Sequence, residues 1–434
     1  MAPNIKIDHI KLNHWLNARK TTLSQFLLKN KSLKKKINLK KNFLINNKDA
    51  SIIEKSLNIS IKSIEKKSRI PEYIFWKKEK ILRTKRPINR DGIHFYNYYS
   101  LPAPDGFIGP VILDILCPKN KLPKLNNGHL EQAITVNLGP EDIYGRWGEK
   151  KTKLNFSKIK YNNTNKYNWI IGDTYVEPAY CPHSYSRATD KNSRILSYTS
   201  KSPIEKLVKQ LNNLPNLSSK KFIESFKNKD NLGIVFDFYL SNRFIDYKFI
   251  SKFLKRKINS FNQLIKNKYN FISICNLLDI DPNIFLSRKN IKEDKVGKTY
   301  LSINESIKTT RKFKSYTISS MASSPRYPDL FGVFIKVNKI NNKKDLFDYT
   351  SSHYLVTSGS MKFTANNKSI HLKKDDALWV SPFLNHGFSG EGSLIKISNG
   401  ECLGTSDFYD LSKTYDIKNT INRSYKDIEN WGYN

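Results

Sequence analysis

The segment APDGFIGPVILDI at residues 103–115 has a counterpart, YPDLFGVFIKV, at residues 327–337. Each segment joins a Pro-Asp turn to a run of apolar and β-branched residues, a pattern that indicates a turn leading into a buried strand. A constant offset of 224 positions separates four identical pairs: Arg19 and Arg243, Pro104 and Pro328, Asp105 and Asp329, and His129 and His353. A fixed period of this kind predicts an internal duplication of one long unit.

The repeated unit begins with a helical part and continues with a β-rich part. Apolar residues recur at three- and four-residue spacing within residues 10–70 and again within 236–288, which predicts short amphipathic helices that resemble helix-turn-helix modules. Short apolar runs separated by Gly, Pro and Asp turns fill residues 90–200 and 315–400 and predict strands. Residues 200–235 are polar and are expected to form a connection.

The β-rich parts resemble cupins, which are small double-sheet barrels that gather metal ligands in their interior. In the first one, GHLEQ at residues 128–132 is followed by TYVEPAYCPHSYS at 174–186, so His129, Glu177 and His183 are candidate ligands. In the second one, LWVSPFLNHGFSG at 378–390 places Ser381 where the acid is expected. The first barrel is therefore predicted to be active and the second to be structural.

The predicted fold class is α+β, a tandem repeat of a helix-turn-helix-like module and a cupin β-barrel (a bi-cupin). The expected domains are an N-terminal helical module at residues 1–85 and a catalytic cupin barrel at 86–205. A second helical module at 206–300 and a second, degenerate cupin barrel at 301–434 complete the chain. Tandem barrels of this kind favour a homo-oligomer.

Net charge sets the expected partners. The 434 residues carry a formal net charge of +37 at pH 7, a field that attracts anions. The lysines are spread along the whole chain, and no zinc-finger, RNP or basic-zipper motif accompanies them. We expect a small anionic substrate and no nucleic-acid partner.

No run of about 18 apolar residues occurs, so no membrane partner and a cytoplasmic location are expected. The four cysteines are widely spaced, which matches free thiols.

Two imidazoles and one carboxylate are the ligands of mononuclear iron(II) oxygenases, which leave positions open for substrate and dioxygen. His129, Glu177 and His183 supply these ligand types, and zinc would accept the same set. The expected cofactor is Fe(II), with O2 as co-substrate.

Several residues are candidates for binding an anionic substrate near this metal site. Arg90 can bind an anion with two parallel hydrogen bonds, Tyr98 can donate one, and Asn126 lies three residues before His129. Lys20 lies on an N-terminal helix, and the repeat has Phe244 at the same position. A lysine present only in the half with complete ligands is expected to reach the metal site, with its helical module acting as a lid.

Six segments closely resemble the family of hydroxyethylphosphonate dioxygenase and methylphosphonate synthase. They are HWLNARK, RPINRDGIHFYNYYSL, VILDILCP, LNNGHLEQAITVNLGPEDIYGRWGE, YVEPAYCPHSYS and the ending WGYN. The resemblance implies iron-dependent cleavage of the carbon–carbon bond of 2-hydroxyethylphosphonate without 2-oxoglutarate. It also implies iron ligands at His129, Glu177 and His183. The implied substrate contacts come from four residues: Arg90, Tyr98, Asn126 and Lys20. Tyr175 is implied to lie beside the site.

Gln132 bears on which product forms. The dioxygenases release hydroxymethylphosphonate and formate and have Pro after HLE, whereas the synthases release methylphosphonate and CO2 and have a Gln that can bind iron. Gln132 therefore favours the synthase and is a candidate ligand and catalytic residue, while Glu177 matches the dioxygenase. Two other classes stay open: a helix-turn-helix and cupin transcription regulator, and a zinc or manganese cupin isomerase.

Overall fold

The computed structural model describes residues 4–66, 69–90, 92–119, 121, 124–148, 156–163, 165–199, 201–202, 204–226, 231–285, 292–338 and 345–426. Its contacts divide the chain into two compact units, Met1–Tyr73 with Cys402–Asn434, and Ile74–Glu401. The mixed helix-and-sheet class predicted from the sequence is confirmed. No helix among these residues is both long enough and apolar enough to cross a membrane.

The helices are α1 (His9–Ala18), α2 (Leu23–Lys29), α3 (Asn47–Leu57), α4 (Lys78–Leu82), α5 (Glu205–Asn213), α6 (Asn216–Ser225), α7 (Asn231–Asn242), α8 (Tyr247–Phe253), α9 (Phe261–Leu264), α10 (Lys268–Leu277), α11 (Ile303–Lys308), α12 (Thr405–Ser412) and α13 (Ile417–Lys426). The first ten strands are β1 (Ile5–Ile7), β2 (Phe43–Ile45), β3 (Tyr73–Trp76), β4 (Arg86–Arg90), β5 (Ile93–Ser100), β6 (Val111–Ile115), β7 (Ala133–Gly139), β8 (Ile143–Trp147), β9 (Phe156–Ile159) and β10 (Thr174–Glu177). The remaining strands are β11 (His183–Arg187), β12 (Ser193–Thr199), β13 (Thr299–Leu301), β14 (Arg311–Lys312), β15 (Tyr316–Ser320), β16 (Phe331–Val337), β17 (Ser352–Ala365), β18 (Lys368–Lys373), β19 (Ala377–Val380) and β20 (His386–Ser398).

Side-chain caps begin the helices of the first unit. Asp8, Thr22 and Asn46 precede α1, α2 and α3, and the side chain of each accepts a backbone N–H of its helix. These bonds satisfy donors that the first helical turn leaves without a partner. The apolar faces of the three helices bury residues such as Leu16 and Ile53 in one core, beside the antiparallel pair β1–β2.

The helices of residues 231–285 in the second unit follow a similar plan. The helices α2 and α8 start 224 positions apart, and each follows a polar capping residue, Thr22 or Asp246. Lys20 and Phe244, which follow α1 and α7, share a left-handed backbone with φ of 53°. The polar stretch at 200–235, expected to form a connection, contains α5 and α6. Their apolar positions are largely exposed, which is why the stretch has no core-like pattern.

The first β-region consists of two open sheets that face each other. One has the order β13-β10-β7-β12-β6-β5-β4 and the other the order β11-β8-β9. Aromatic and aliphatic side chains such as Phe95, Trp147 and Tyr185 fill the space between them. The expectation of closed barrels is wrong, since both sheets end in edge strands. This interior holds the candidate site.

The outer face of the seven-stranded sheet packs against a third sheet, whose strand order is β14-β15-β16-β20-β17-β19-β3 with β18 paired to β17. Ile134, Val176 and Leu196 from the first β-region share one core with Phe334 and Leu355 from the third sheet. The division at residues 85, 205 and 300 stays a prediction. The strand β13 pairs with β10 across the last of these boundaries.

Candidate metal centre

Two loops bring the predicted ligands together. One precedes β7 and carries His129, and the other joins β10 to β11 between Glu177 and His183. The N–H of Tyr180 donates to the His129 carbonyl at 2.7 Å, which ties the loops together. Gly128 permits this contact, since it has φ of +75° and a Cβ there would lie 2.5 Å from the Tyr180 carbonyl carbon.

His129, Glu177 and His183 each offer a ligand atom, and these atoms lie within 4.8 Å of one another. Glu177 Oε1 lies 3.4 Å from His129 Nε2 and 3.3 Å from His183 Nδ1. Atoms that bind one metal at adjacent positions with bonds of about 2.1 Å are about 3 Å apart. The cluster therefore has the donor set that a mononuclear iron site needs, and Glu177 Oε1 and His129 Nε2 have nearly the required spacing.

Hydrogen bonds orient the ligands, and those of His129 and Glu177 leave one atom of each for a metal. His129 Nδ1 lies 2.6 Å from the Glu131 carbonyl, which makes Nδ1 the protonated nitrogen and leaves the lone pair of Nε2 for a metal. Trp147 donates its indole N–H to Glu177 Oε2 at 2.9 Å, so Oε1 stays available. Gly145 accommodates the indole, because a Cβ there would lie 2.2 Å from it.

The buried charges of the cluster stabilise one another. Burial raises the pKa of Glu177, but the attraction of His183 and the hydrogen bond from His129 outweigh it and hold that pKa below its usual value. Burial lowers the pKa of His129, while its bond to Glu177 more than reverses this and raises the pKa. A metal must displace the proton that this pairing favours, so metal uptake is expected to release a proton.

We expect Trp147→Phe to weaken iron binding by about 10- to 100-fold, the range for losing a hydrogen bond to a metal ligand. The substitution keeps an aromatic ring in the core and removes only the donor to Glu177 Oε2. Titration of the metal-free protein with Fe(II) under anaerobic conditions measures the effect. Trp169→Phe, a buried tryptophan in a different core, is the matched control. Equal affinities in both variants would contradict the orienting role of Trp147.

Asn126 lies directly against the ligand cluster. Its side-chain oxygen accepts the backbone N–H of His183 at 2.8 Å, and its Nδ2 lies 3.0 Å from His183 Nε2. The Nδ1 of His183 lies 3.0 Å from the Cys181 carbonyl, so Nε2 carries the lone pair and accepts from Asn126. A metal bound at that nitrogen would release the Asn126 amide group for another acceptor.

The remaining candidates of the second unit lie around this interior. Arg90 is half-buried, donates to the Lys124 carbonyl at 3.3 Å, and has its guanidinium 5.8 Å from the Tyr96 ring. Burial raises the pKa of Tyr98, so it remains a protonated donor at neutral pH. Tyr175 is fully buried, and its hydroxyl meets that of Tyr185. Tyr175 therefore packs beside the ligands, with its ring centroid 5.0 Å from that of Trp147.

Gln132 is 4% exposed and donates from Nε2 to the Lys201 carbonyl at 3.2 Å. Its Oε1 is buried, with no hydrogen-bond partner among the described residues. The next residue, Ala133, pairs with Glu177, and successive side chains of a strand point to opposite faces. Gln132 itself precedes β7, so the strand pairing does not fix the direction of its side chain, and its role as a ligand stays a prediction.

Lys20 belongs to the first unit. It is exposed and follows α1 in a left-handed conformation that closes the helix end, with its N–H donating to the Asn17 carbonyl at 2.9 Å. Its predicted contact with substrate stays a prediction.

The third sheet repeats the frame of the metal site with other residues. Ala133 pairs with Glu177 in the first β-region, and Ser352 pairs with Val380 in the third sheet. Valine thus stands where the first region has its carboxylate. From the sequence alone, Ser381 was expected at the position of the carboxylate. The strand register instead puts the preceding residue, Val380, at that position.

The loop contacts give the counterpart of His129. In the first region Tyr180 N–H donates to the His129 carbonyl at 2.7 Å, and in the third sheet Phe383 N–H donates to the Asp348 carbonyl at 2.7 Å. The pairing of His129 with His353 suggested by the 224-residue offset is therefore wrong. His353 instead lies on the outer face of its sheet, where its Nε2 bonds the Tyr198 hydroxyl at 2.8 Å.

The third sheet also has a lysine, Lys396, beside the residue that replaces His129. Lys396 Nζ bonds Asp348 Oδ1, and His386 Nε2 bonds the Tyr354 hydroxyl at 2.7 Å. The lysine ammonium thus supplies a positive charge beside the residue that replaces His129. Desolvation lowers the pKa of His386, which keeps its ring neutral. Sequence reasoning missed both Lys396 and Trp147, since no motif distinguishes either of them from an ordinary strand residue.

Comparison with known proteins agrees with this site. Residues 82–200 match the family described as the 2-hydroxyethylphosphonate dioxygenase cupin-like domain. The 2-hydroxyethylphosphonate dioxygenase of Streptomyces viridochromogenes is 35% identical over 447 residues, which cover 99% of this chain and 100% of that protein. A solved structure of PhpD with cadmium and hydroethylphosphonate is 35% identical, has a TM-score of 0.79, and covers 96% of this chain and 99% of that one.

A more distant structure, the Streptomyces albus HEPD with 2-hydroxyethylphosphonate and Fe(II) bound, has a TM-score of 0.72 at 14% identity and covers 98% of each chain. That likeness shows a shared fold. The full-length identity with the S. viridochromogenes enzyme carries the assignment, and with the His-Glu-His cluster it confirms the predictions of a non-heme iron dioxygenase and of its family. The chain belongs to the 2-hydroxyethylphosphonate dioxygenase family.

Proposed function

We propose that this protein converts 2-hydroxyethylphosphonate and O2 into hydroxymethylphosphonate and formate. The carboxylate of Glu177 between two histidines is the observation that carries the proposal, because it supplies the ligand set of the dioxygenases. The relatives named above as dioxygenases also favour this product over the methylphosphonate expected from Gln132. The two carbons of the substrate supply all four electrons that O2 accepts, so no external reductant is required.

His129, Glu177 and His183 would hold iron, which would bind and activate substrate and O2. The chain's own residues fix the positions of these ligands. Trp147 and the Glu131 carbonyl hold the carboxylate and one imidazole in orientation, so little rearrangement accompanies the reaction. The buried tyrosines behind the cluster exclude water from the reacting carbon.

The substrate's phosphonate group requires compensating charge. Arg90 provides a guanidinium 5.8 Å from the Tyr96 ring, and Tyr98 provides a neutral hydroxyl donor. The Asn126 amide group lies against His183 and becomes available when a metal binds that ring. We propose that these three residues bind the phosphonate, and that Lys20 adds a second cation.

Methylphosphonate synthase is the second candidate. The buried Gln132 Oε1, which has no partner among the described residues, favours it, since an orphaned carbonyl oxygen is a potential metal or substrate contact. In that reaction 2-hydroxyethylphosphonate and O2 give methylphosphonate, CO2 and water.

Phosphorus NMR of the anaerobically iron-loaded protein, given 2-hydroxyethylphosphonate and then air, distinguishes the candidates. We expect a hydroxymethylphosphonate signal, with an equal amount of formate by proton NMR of the same sample. Gln132→Pro should leave this product unchanged. A methylphosphonate signal from the natural chain that Gln132→Pro shifts to hydroxymethylphosphonate would establish the synthase instead. Iron-dependent turnover to neither product would contradict both candidates.

We also propose that the third sheet is a cupin that has lost its metal site, so that the chain is a bi-cupin with two helical modules. Val380 and Asp348 at the ligand positions support this. The helical modules are proposed to serve the enzyme rather than nucleic acid, and the working form is proposed to be a homo-oligomer. Weak binding to random duplex DNA at physiological salt is the expected result of a filter-binding series, and tight, steeply salt-dependent binding would contradict it.

A further inference from the structure

The loop at residues 293–298 brings a buried lysine to the tryptophan that supports the metal centre. The loop precedes β13, which pairs with β10, the strand that ends at Glu177. Lys298 is only 7% exposed, and its Nζ lies 4.6 Å from the Trp147 ring centroid. The indole N–H of Trp147 donates to Glu177 Oε2 at 2.9 Å. The indole therefore links this ammonium to a metal ligand.

Contacts within the loop fix the position of Lys298. Asp294 Oδ1 accepts the backbone N–H groups of Val296 and Lys298 at 3.1 and 2.9 Å, and the Asp294 N–H donates to the Lys298 carbonyl at 3.0 Å. Asp294 Oδ2 lies 3.2 Å from Lys298 Nζ. The ammonium also lies 5.4 Å from the Tyr300 ring centroid, and aromatic faces attract a cation. Its position is therefore set by the loop and by the rings around it.

The ion pair with Asp294 limits how far the charge of Lys298 reaches. The Asp294 carboxylate offsets the ammonium at longer range, whereas the Lys298 side chain is 8% exposed and lies against the indole. A cation on the face of an indole draws electron density from the ring, which makes its N–H a stronger hydrogen-bond donor. Because this N–H donates to Glu177, the ammonium acts on the carboxylate through Trp147.

A stronger hydrogen bond to a ligand carboxylate and a positive charge behind it act on iron in the same direction. Both make the site less able to stabilise the higher charge of Fe(III), and both therefore favour Fe(II). In the proposed reaction the substrate supplies all the electrons, so no reductant would return Fe(III) to Fe(II). An enzyme of this kind has to protect its iron from O2 while it waits for substrate.

We propose that Lys298 is a positioning residue that keeps iron at this centre in the Fe(II) state, by acting on Glu177 through Trp147. The reaction that it slows is the transfer of one electron from Fe(II) to O2, which gives Fe(III) and superoxide. The proposal rests on the iron-dependent function proposed above, but it does not depend on which of the two products forms.

Loss of Fe(II) in air without substrate tests the proposal. Anaerobically loaded protein is exposed to air, and a ferrous chelator measures the Fe(II) that remains after acid quenching. We expect Lys298→Met to lose Fe(II) about three- to tenfold faster than the natural chain, less than the range for a direct partner of a ligand because Lys298 acts one residue further away. Lys298→Arg keeps a cation over the ring and should stay within about twofold.

Lys158→Met is the matched control. Like Lys298, Lys158 is paired with an acid, since its Nζ lies 3.7 Å from Asp142 Oδ2, and it faces an aromatic ring, with Nζ 5.8 Å from the Tyr144 centroid. The substitution removes the same charge without touching the indole. We expect its rate of Fe(II) loss within about twofold of the natural chain.

Proton NMR of the metal-free protein examines the hydrogen bond itself. The indole N–H resonance of Trp147 is assigned by its absence from Trp147→Phe. A weaker hydrogen bond should move it upfield in Lys298→Met, whereas Lys298→Arg and Lys158→Met should leave it nearly in place. An unmoved resonance in Lys298→Met would overturn the proposal, because Lys298 would then not act through Trp147.

Two results of the Fe(II) measurement would also overturn the proposal. Equal rates in Lys298→Met and Lys158→Met would show that net charge alone decides the loss, and a rate in Lys298→Arg equal to that in Lys298→Met would show that the cation is not what matters. Product formation is measured separately on the natural chain by phosphorus NMR. A failure of the proposed function is therefore distinguishable from a failure of this role of Lys298.

Discussion

Glu177→Ala is expected to abolish iron binding and O2 consumption. Glu177 is 1% exposed, faces both histidines at 3.3–3.4 Å, and is the only carboxylate in the cluster of described residues. Its removal leaves two neutral imidazoles to hold a divalent cation. Losing a group that merely orients a ligand costs about 10- to 100-fold in metal affinity, so loss of the ligand itself should cost more than about 100-fold.

Glu131→Ala is the matched control for this substitution. Glu131 is two residues from His129, and it supports that ring through its backbone carbonyl, which the substitution keeps. We expect iron affinity and O2 consumption within about threefold of the natural chain. Anaerobic Fe(II) titration and an oxygen electrode measure the two quantities. Iron binding that survives in Glu177→Ala but fails with an additional Gln132→Ala would instead make Gln132 a ligand.

The motif spacing was sufficient to find the three clustered residues, because a cupin takes its ligands from two short loops whose sequences are distinctive. The 224-residue offset gave the wrong counterpart for His129, namely His353, for a geometric reason. The strand register relates the two regions by 219 positions at Ala133 and Ser352, which differs from 224 by an odd number. A shift by an odd number exchanges the two faces of a strand. His353 therefore lies on the outer face, whereas the sequence placed it inside.

Trp147 and Lys396 could not be predicted for a different reason. Each is one residue in a strand of alternating pattern, and its partner is distant in the chain: Glu177 for Trp147, and Asp348 for Lys396. A single sequence shows that an aromatic residue or a lysine is present, but not which buried atom it meets. The open sheets could not be predicted for the same reason. They depend on strand pairings such as that of β13 with β10, which join segments more than 100 residues apart in the chain.

Lys396 explains why the third sheet can keep an acid in its interior without a metal. Asp348 and Lys396 have side chains 19% and 12% exposed, and Asp348 Oδ2 also accepts the Ser352 hydroxyl at 3.0 Å. The strand register puts Lys396 opposite Tyr354, as it puts Ser197 opposite Thr135 in the first β-region. A serine in the metal-binding region thus corresponds to a lysine here. The ammonium neutralises Asp348, a charge balance that bound iron would supply in the other region.

Lys396→Met should therefore destabilise the protein by about 3–5 kcal/mol, the cost of leaving a buried charge without its partner. Urea unfolding followed by tryptophan fluorescence measures the loss. Adding Asp348→Asn should restore most of the stability, because no charge then remains to be compensated. Lys362→Met, a substitution at an exposed lysine of the same sheet, should change the free energy of unfolding by less than about 0.5 kcal/mol. Two results would show that the ammonium does not balance the acid. One is a loss of stability in Lys396→Met no larger than that in Lys362→Met, and the other is a further loss of stability when Asp348→Asn is added.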